Sequence, residues 1–532
     1  AFGIEDAAQT YFGKSAKDLN TAEASLLVGL LPAPSAYSPI SGDPAKARVR
    51  QVYVLGRMVT DKALSESEKN TALQTPLAYQ PKKEDQALKA PHFVEMVKNE
   101  LIKKYGEEKI ARSGYVVTTS LNLDWQNKAE LAVKNQVSKL ARSDVTNGSA
   151  VVMDPKNGEI RALVGSVDWN NPTFGKYNIA TARRQPGSSF KPIMYATGIE
   201  NRNFSAASIF HDVATNFNGY APKDYDLRYR GDVTLRRALA NSLNIPAVEA
   251  IQKVGVQTTV EKARVLGLTT LDKNAYYGPS TALGTTNAKL TEMTNAYATF
   301  ANAGRKNTIT TVSNIKDKNN RVILKAKPQN KQVISSQTAY IISSILSDNT
   351  ARSELFGSSL NLAGGRPAAV KTGTTEDYHD AWTIGYTPSL AIGVWIGNND
   401  NSPMSKVAGS SGAAPIWRSL MQQLLMNTPA EKFSVPNTLT VRAVCRSNGA
   451  LAENAGSNTI TEYFIPGTLP TTTCNKSIQQ VLDTTPSQEP PKQETPTNNT
   501  PPTTTSGGPD GQNTTDPGSN NGNGNGANKP KP

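Results

Sequence analysis

Residues 149–164 read SAVVMDPKNGEIRALV and form the clearest hairpin pattern in the chain. Two apolar runs flank a turn, where Asn157-Gly158 tolerates the positive φ angles of tight hairpins. A long stretch with helical patterns follows, and strand patterns return at 381–386 and 390–396, on either side of a Thr-Pro turn. A sheet that takes strands from both ends of a domain, with helices between them, predicts an α+β fold.

The first part of the chain predicts helices. Helical segments cover about 6–12 and 44–59, and a third begins after Asn20-Thr21, with Thr21 as its predicted N-cap. Residues 76–112 are polar and rich in Lys and Glu, which predicts a connector. A β-branched strand at 115–119 and a helix at 123–140 follow it.

Length and charge bound the class of protein. A chain of 532 residues predicts about two to four domains. Lys and Arg number 57 against 44 Asp and Glu, and the net charge of +13 is scattered along the chain. That distribution argues against a nucleic-acid partner and suits anionic polymers or lipid headgroups.

The sequence contains no transmembrane segment, and its two cysteines lie in one late segment. The longest apolar stretch ends at Pro32, far short of the ~18–20 residues that span a bilayer, so we expect any membrane anchor upstream of Ala1. Cys445 and Cys474 either close a small disulfide loop or remain two unpaired thiols. No histidine lies near them, which argues against a zinc site, and residues 483–532 predict a disordered tail.

The first motif that carries chemistry is Ser188-Ser189-Phe190-Lys191. Ser188 follows the breaker cluster at 184–187, where a helix can begin and free N–H groups and the positive dipole end are available. Lys191 falls on the same face one turn later. A serine hydroxyl needs a base, and a buried lysine with a lowered pKa can serve. The alternative is a helix-capping serine beside a solvated lysine. No histidine lies in a Gly-x-Ser-x-Gly setting, so a Ser-His-Asp triad is not expected.

Two further motifs follow. Ser242-Leu243-Asn244 lies between a helical run and Pro246, where a hydroxyl and an amide can point into a cleft; a capping serine is the alternative. Lys371-Thr372-Gly373-Thr374 opens a strand, and its glycine permits close approach of a ligand or backbone. Its lysine and hydroxyls could face a carboxylate and its N–H groups an oxyanion, unless it is a surface turn.

Short motifs also recur by chance, and the chain contains decoys. Ser-x-x-Lys also occurs at 313–316, and Ser-x-Asn also occurs at 347–349, 359–361 and 519–521. The surrounding sequence must therefore select among them.

Those surroundings resemble class A penicillin-binding proteins over about 145–430. The resemblance implies a penicillin-binding/serine β-lactamase-like domain, with an antiparallel sheet packed against helices. Of the Ser-x-Asn candidates, only Ser242 has the family's surroundings. The stretches that carry the resemblance are RQPGSSFKP (184–192), ALANSLNIP (238–246), ALG (282–284), NAYA (295–298), KTGTT (371–375) and DAW (380–382).

The resemblance also implies residue roles. Ser188 would be the acylated nucleophile, Lys191 its base, Ser242 a proton relay and Asn244 the holder of the substrate amide. The segment Lys371, Thr372, Gly373 and Thr374 would bind the substrate, with the lysine and hydroxyls on its terminal carboxylate. N–H groups of Ser188 and Thr374 would form the oxyanion hole.

The implied reaction transfers an acyl group between peptidoglycan stem peptides. Ser188 would attack D-Ala-D-Ala, release D-Ala and pass the acyl group to an amine on a neighbouring strand, and β-lactams would acylate it as mimics. No cofactor or metal is implied. A hydrolase using the same serine is the alternative. No Glu-x-x-Leu-Asn segment of the class A β-lactamases lies between Ser242 and Lys371, but a D,D-carboxypeptidase stays open.

The N-terminal stretches AQTYFGK (8–14), TAEA (21–24) and PSAYSP (34–39) resemble the end of an all-α, lysozyme-like peptidoglycan glycosyltransferase domain. That family's catalytic glutamates lie in upstream motifs that have no counterpart here, so we expect no glycan polymerisation by this chain. We expect a bifunctional parent protein on the extracytoplasmic face of the bacterial membrane. The predicted divisions are glycosyltransferase remnant 1–75, linker 76–144, transpeptidase domain 145–430, small extension 431–482 and tail 483–532.

Overall fold

The computed structural model describes residues 3–79 and 88–474. The predicted tail at 483–532 therefore lies outside the described residues. Within them, no helix has the length and apolar character needed to cross a membrane.

The mixture of helices and antiparallel strands confirms the predicted α+β class. The α-helices are α1 Ile4–Phe12, α2 Thr21–Leu30, α3 Pro34–Tyr37, α4 Pro44–Thr60, α5 Glu66–Gln74, α6 Pro91–Tyr105, α7 Glu107–Ser113, α8 Leu123–Lys139, α9 Lys191–Glu200, α10 Leu235–Ala240, α11 Ile245–Val254, α12 Val256–Val265, α13 Leu290–Ala301, α14 Ser336–Leu346, α15 Asn349–Phe356 and α16 Ala413–Leu425. The strands are β1 Val116–Thr119, β2 Asn147–Met153, β3 Ile160–Val164, β4 Ile209–Asp212, β5 Gly231–Thr234, β6 Arg305–Asn307, β7 Val312–Lys316, β8 Val322–Lys325, β9 Asn330–Gln332, β10 Ala369–Thr374, β11 Asp380–Tyr386, β12 Ala391–Gly397, β13 Thr440–Cys445 and β14 Thr459–Phe464.

A five-stranded antiparallel sheet, in the order β10-β11-β12-β2-β3, organises the largest part of the chain. The predicted hairpin is confirmed as β2–β3, and β2 pairs with β12 from the far end of the domain. Successive side chains of a strand point to opposite faces. Accordingly, Val151 and Met153 join the core that contains α13, whereas Ala150 and Val152 join the core that contains α8 and α16. Helices therefore cover both faces of the sheet.

A second layer of helices lies beyond α13. Helix α9 packs against α11, α12 and α14, and the 3₁₀ turn Gly187–Phe190 ahead of α9 contacts β10. Residues of α9 from Lys191 to Ile199 are all buried. This layer brings the start of α9 and the α10–α11 connection to the edge strand β10.

Two local predictions are wrong. Residues 76–112 are not merely a connector, because α6 and α7 occupy 91–113. Phe93, Val97 and Leu101 recur every four residues and are buried, a helical spacing that the high Lys and Glu content obscured. The N-cap of α2 is Asn20, not Thr21. The Asn20 side chain accepts the Glu23 N–H at 2.9 Å and the Glu23 side chain accepts the Asn20 N–H at 3.0 Å, a reciprocal capping box.

A small hairpin, β13–β14, follows the sheet domain. The disulfide between Cys445 and Cys474 ties its first strand to the segment after its second, so of the two open alternatives the structure has the disulfide. Glu462 of β14 is buried and forms a 2.7 Å ion pair with Arg236 of α10. The hairpin is thus joined to the helix that precedes Ser242.

Candidate active site

A cleft of about 530 Å³ opens beside the edge strand β10. The structure brings the three predicted motifs together here, although they are far apart in sequence. The predicted site residues that line the cleft are Ser188, Ser242, Asn244, Thr372 and Thr374. Lys191 and Lys371 lie beneath its surface, with 0% and 2% of their surface exposed. Gly373 faces the nucleophile turn instead of the cleft.

The decoy motifs do not contribute to this cleft. Ser313 belongs to strand β7, and neither it nor the Ser-x-Asn matches at 347–349 and 359–361 line the cleft. The match at 519–521 lies outside the described residues.

Ser188 lies in the 3₁₀ turn Gly187–Phe190 that leads into α9. Gly187 has φ +55°, a conformation that glycine adopts without strain. The Ser189 hydroxyl donates to Pro186 O at 2.7 Å, and the Tyr297 hydroxyl of α13 donates to Ser189 O at 2.6 Å. These two bonds hold the turn on both sides of Ser188, so its side chain faces the cleft from a fixed backbone.

The Lys191 ammonium group is completely enclosed and donates to the Ser-x-Asn turn. Its Nζ donates to Ser242 O at 2.6 Å, to Leu243 O at 3.0 Å and to Asn244 Oδ1 at 2.6 Å. Burial lowers the pKa of Lys191 to about 7, although the nearby Asp224 carboxylate acts in the opposite direction. At neutral pH a large fraction of Lys191 is therefore neutral and able to accept a proton.

Lys371 approaches the same turn from β10. Its Nζ donates to Ser242 Oγ at 2.7 Å and to Thr372 O at 3.0 Å. Burial, together with the charge of Lys191, holds the pKa of Lys371 well below its usual range. Ser242 has φ +60°, in the left-handed region, which is uncommon for a residue with a side chain. Its hydroxyl bonds Lys371 and its carbonyl bonds Lys191, so Ser242 links the two lysines.

Asn244 is held by a segment that the sequence analysis missed. Its side-chain Nδ2 donates to Lys223 O at 2.7 Å, and its backbone N–H donates to Asp224 Oδ1. Lys223 and Asp224 lie in the long connection between β4 and β5, which has no helical or strand periodicity. No sequence pattern could have identified them.

Close glycine contacts join β10 to the nucleophile turn. A Cβ on Gly373 would lie 2.2 Å from Pro186 O, and one on Gly284 would lie 2.0 Å from Gly187 O. Gly284 also has φ +75°. Backbones can approach this closely only where no Cβ intervenes, so these glycines set the width of the cleft floor.

The substitution Gly373→Ala is expected to lower the rate of acylation by a penicillin about a hundredfold, because β10 must shift away from Ser188. Stopped-flow fluorescence with a labelled penicillin measures this rate. Gly278→Ala is the matched control, since its φ is −100° and nothing lies within 4 Å of its Cβ position. Equal rates for the two variants would contradict a role for the Gly373 contact.

The chain matches three known sequence families. Residues 148–422 match the family model described as "Penicillin binding protein transpeptidase domain". Residues 1–59 match "Transglycosylase", and residues 435–479 match "Penicillin-binding protein 1A, C-terminal domain". The transpeptidase match contains all three motifs of the cleft.

Relatives and solved structures agree with these matches. Penicillin-binding protein 2D of Bacillus subtilis is 33% identical over 506 residues, which is 92% of this chain and 72% of that protein. The crystal structure of penicillin-binding protein 1A from Haemophilus influenzae has a TM-score of 0.72 and 26% identity, and covers 89% of this chain and 90% of that one. The PonA1 protein of Mycobacterium tuberculosis in complex with penicillin V has a TM-score of 0.59 and 26% identity, over 65% of this chain and 96% of that one. The chain therefore belongs to the class A penicillin-binding proteins and carries their serine D,D-transpeptidase domain together with part of their transglycosylase domain.

Proposed function

We propose that Ser188 is the nucleophile of the transpeptidase reaction and that Lys191 is its base. The observation that supports this assignment is the enclosed Lys191 amine, with a pKa of about 7, one helical turn after a serine that lines the cleft. An ordinary lysine is almost fully protonated at neutral pH and could not accept the hydroxyl proton.

The donor is a stem peptide that ends in D-Ala-D-Ala. Its terminal carboxylate would lie beside Lys371 and the hydroxyls of Thr372 and Thr374. Thr374 Oγ1 already accepts the Gly409 N–H at 3.0 Å, so its hydrogen remains available to a carboxylate. An arriving carboxylate would raise the pKa of Lys371 and favour its ammonium form. Asn244 would hold the substrate amide.

Acylation involves two proton transfers, one from Ser188 to Lys191 and one to the leaving nitrogen. Lys191 takes the proton of Ser188 as Oγ bonds to the carbonyl carbon, and the N–H groups of Ser188 and Thr374 would stabilise the oxyanion. The C–N bond to the terminal D-Ala then breaks. Ser242 gives its hydroxyl proton to the leaving nitrogen and regains one from Lys371, whose Nζ lies 2.7 Å from Ser242 Oγ.

Transfer of the acyl group to an amine on a neighbouring peptidoglycan strand completes the cycle. The amine attacks the acyl-enzyme and its proton returns through Ser242 to Lys371, while Lys191 gives its proton back to the departing Ser188 oxygen. A β-lactam would acylate Ser188 in the same way and remain bound. We also propose the predicted domain divisions, except that residues 91–144 pack with the transpeptidase domain instead of forming a linker. We further propose an extracytoplasmic location at the membrane and glycan polymerisation by the longer protein.

The test maps the adduct and identifies the acceptor. The chain is incubated with benzylpenicillin, digested and analysed by mass spectrometry, and the expected result is a persistent adduct on the peptide that contains Ser188. An adduct that survives in Ser188→Ala would overturn the assignment. With a D-Ala-D-Ala peptide and a free amine, we expect release of D-Ala together with an amide product. Only the free acid would indicate a carboxypeptidase, and rapid loss of the penicillin adduct would indicate a β-lactamase.

A further inference from the structure

A buried group of charges lies directly behind Asn244, outside the three motifs. It consists of Asp212, Asp224 and Arg230, whose side chains are 0%, 2% and 8% exposed. Asp212 ends β4, and Asp224 and Arg230 belong to the β4–β5 connection. Charges so fully removed from water are retained only where partners stabilise them.

This connection controls which atom of Asn244 faces Lys191. Lys223 O accepts the Nδ2 of Asn244 at 2.7 Å, and Asp224 Oδ1 accepts its backbone N–H. A carboxamide has a donor end and an acceptor end. Because its donor end is held by Lys223, the Oδ1 of Asn244 is left for the Lys191 Nζ, at 2.6 Å.

Asp212 and Asp224 lie close enough to share a hydrogen bond. Among the described residues, neither Asp212 Oδ1 nor Asp224 Oδ2 receives an N–H or O–H donor, and both atoms are buried. A proton on Asp212 can be donated to the Asp224 carboxylate. Burial, followed by the hydrogen bond to Asp224, raises the pKa of Asp212 to about 7. At neutral pH Asp212 is therefore protonated part of the time, which lowers the negative charge of the pair.

Other charged groups surround Asp212 and Asp224. The Arg230 N–H donates to Asp212 Oδ2 at 2.9 Å, and its guanidinium lies 3.7 Å from Asp212 and 3.9 Å from Asp224. The rest of the guanidinium is occupied by Asp226 and Glu354, each at 2.7 Å. From the helical side, Lys191 and the buried Tyr195 of α9 lie near Asp224. Glu249 of α11 lies near Tyr195 and accepts the backbone N–H of His211, the residue before Asp212, at 2.8 Å.

We propose that Asp224, supported by Asp212 and Arg230, is a positioning residue of the transpeptidase reaction, which orients Asn244 and supplies the negative charge that Lys191 experiences during acylation. This inference rests on the proposed roles of Ser188 and Lys191. Asp224 touches neither substrate nor reacting atoms. It acts through the Asn244 backbone and through the field at the Lys191 amine.

The variant Asp224→Asn separates charge from geometry, because its amide oxygen can still accept the Asn244 N–H. Losing the negative charge disfavours the ammonium form of Lys191, so its pKa falls. We expect the acid limb of the acylation rate profile to move down by about one pH unit, with a plateau within about threefold of the wild-type plateau. Asp224→Ala removes the acceptor as well, and we expect its plateau to fall ten- to a hundredfold, by roughly the cost of a misplaced reacting group.

Asp226→Asn is the matched control. It removes a carboxylate from the same guanidinium, 2.7 Å away, but makes no contact with Asn244, and we expect its profile to overlay the wild-type profile. A uniform loss at every pH in Asp224→Asn, or a wild-type rate in Asp224→Ala, would overturn the inference.

A second pair of variants, at Asp212, tests the inference if an Asp224 variant fails to fold. Thermal unfolding shows which variants are folded. Asp212→Asn keeps an N–H donor toward Asp224, whereas Asp212→Ala does not, so we expect the asparagine variant to acylate at least tenfold faster than the alanine variant. Equal rates would contradict the shared proton. If wild-type protein is not acylated at Ser188, the proposed function itself fails; if it is acylated and all Asp224 variants match Asp226→Asn, only this inference fails.

Discussion

Lys191→Met is expected to lower the rate of acylation by a penicillin about a thousandfold, within the usual range for loss of a general base. Methionine has a similar length and fills the same enclosed site without a proton acceptor of useful basicity. Residual acylation should show no acid limb near pH 7, whereas the wild-type rate should rise through that limb. Below its pKa of about 7, Lys191 is protonated and cannot accept the Ser188 proton, so the wild-type rate falls on the acid side.

Lys128→Met is the matched control for that variant. Lys128 lies on α8, its side chain is 37% exposed in an ion pair with Asp124, and it does not line the cleft. Its rate should stay within about threefold of wild type, as for a surface substitution. Acylation by Lys191→Met within tenfold of wild type, or an equal loss in Lys128→Met, would exclude Lys191 as the base.

Arg236→Met is expected to lower the free energy of unfolding by about 3–5 kcal/mol, because it leaves Glu462 buried without its partner. The Arg236 guanidinium donates twice to the Glu462 carboxylate, at 2.7 Å from both Nε and Nη2. It also donates to Ser344 O at 3.2 Å. Glu462 is 1% exposed, so water cannot replace the lost donors. Urea unfolding followed by circular dichroism measures the change.

Arg237→Met, at the next position of α10, is the control. Arg237 is 41% exposed in its ion pair with Glu354, and exposed pairs contribute about 0–1 kcal/mol. The double variant Arg236→Met/Glu462→Met removes both charges and should recover most of the lost stability. If the double variant recovers no stability, or if Arg237→Met loses as much, the buried Arg236–Glu462 pair is not the source of the lost stability.

The sheet domain could be predicted well from local sequence. The Asn157-Gly158 turn and the apolar runs on either side predicted β2–β3, and the Thr-Pro turn predicted β11–β12. Helix α6 was missed because Phe93, Val97 and Leu101 are separated by charged residues that dominate the composition. Composition averages over a window, whereas burial of a helix depends on the spacing of a few apolar positions.

The site residues could be predicted only where the flanking sequence identifies their motifs. Ser188, Ser242 and Lys371 come together in the structure as their flanking sequences suggested. Lys223 and Asp224 could not be found, since their effect depends on a long irregular connection that returns to Asn244. The Gly373 contact was anticipated only as a glycine that permits close approach, and its partner, Pro186, required the three-dimensional arrangement.

The pairing of β2 with β12 determines when the site can come into existence during synthesis. Strand β2 emerges early, yet its partner across the sheet, Ala391–Gly397, is made only after the segments that carry Ser188, Ser242 and Lys371. Until then one edge of a strand that is entirely buried in the folded domain has no ladder partner, a condition that promotes aggregation of nascent chains. Pairing between such distant segments is intrinsically slow. We therefore expect a nascent chain that stops before β12 to lack an ordered turn around Ser188, and so to be inactive rather than partly active.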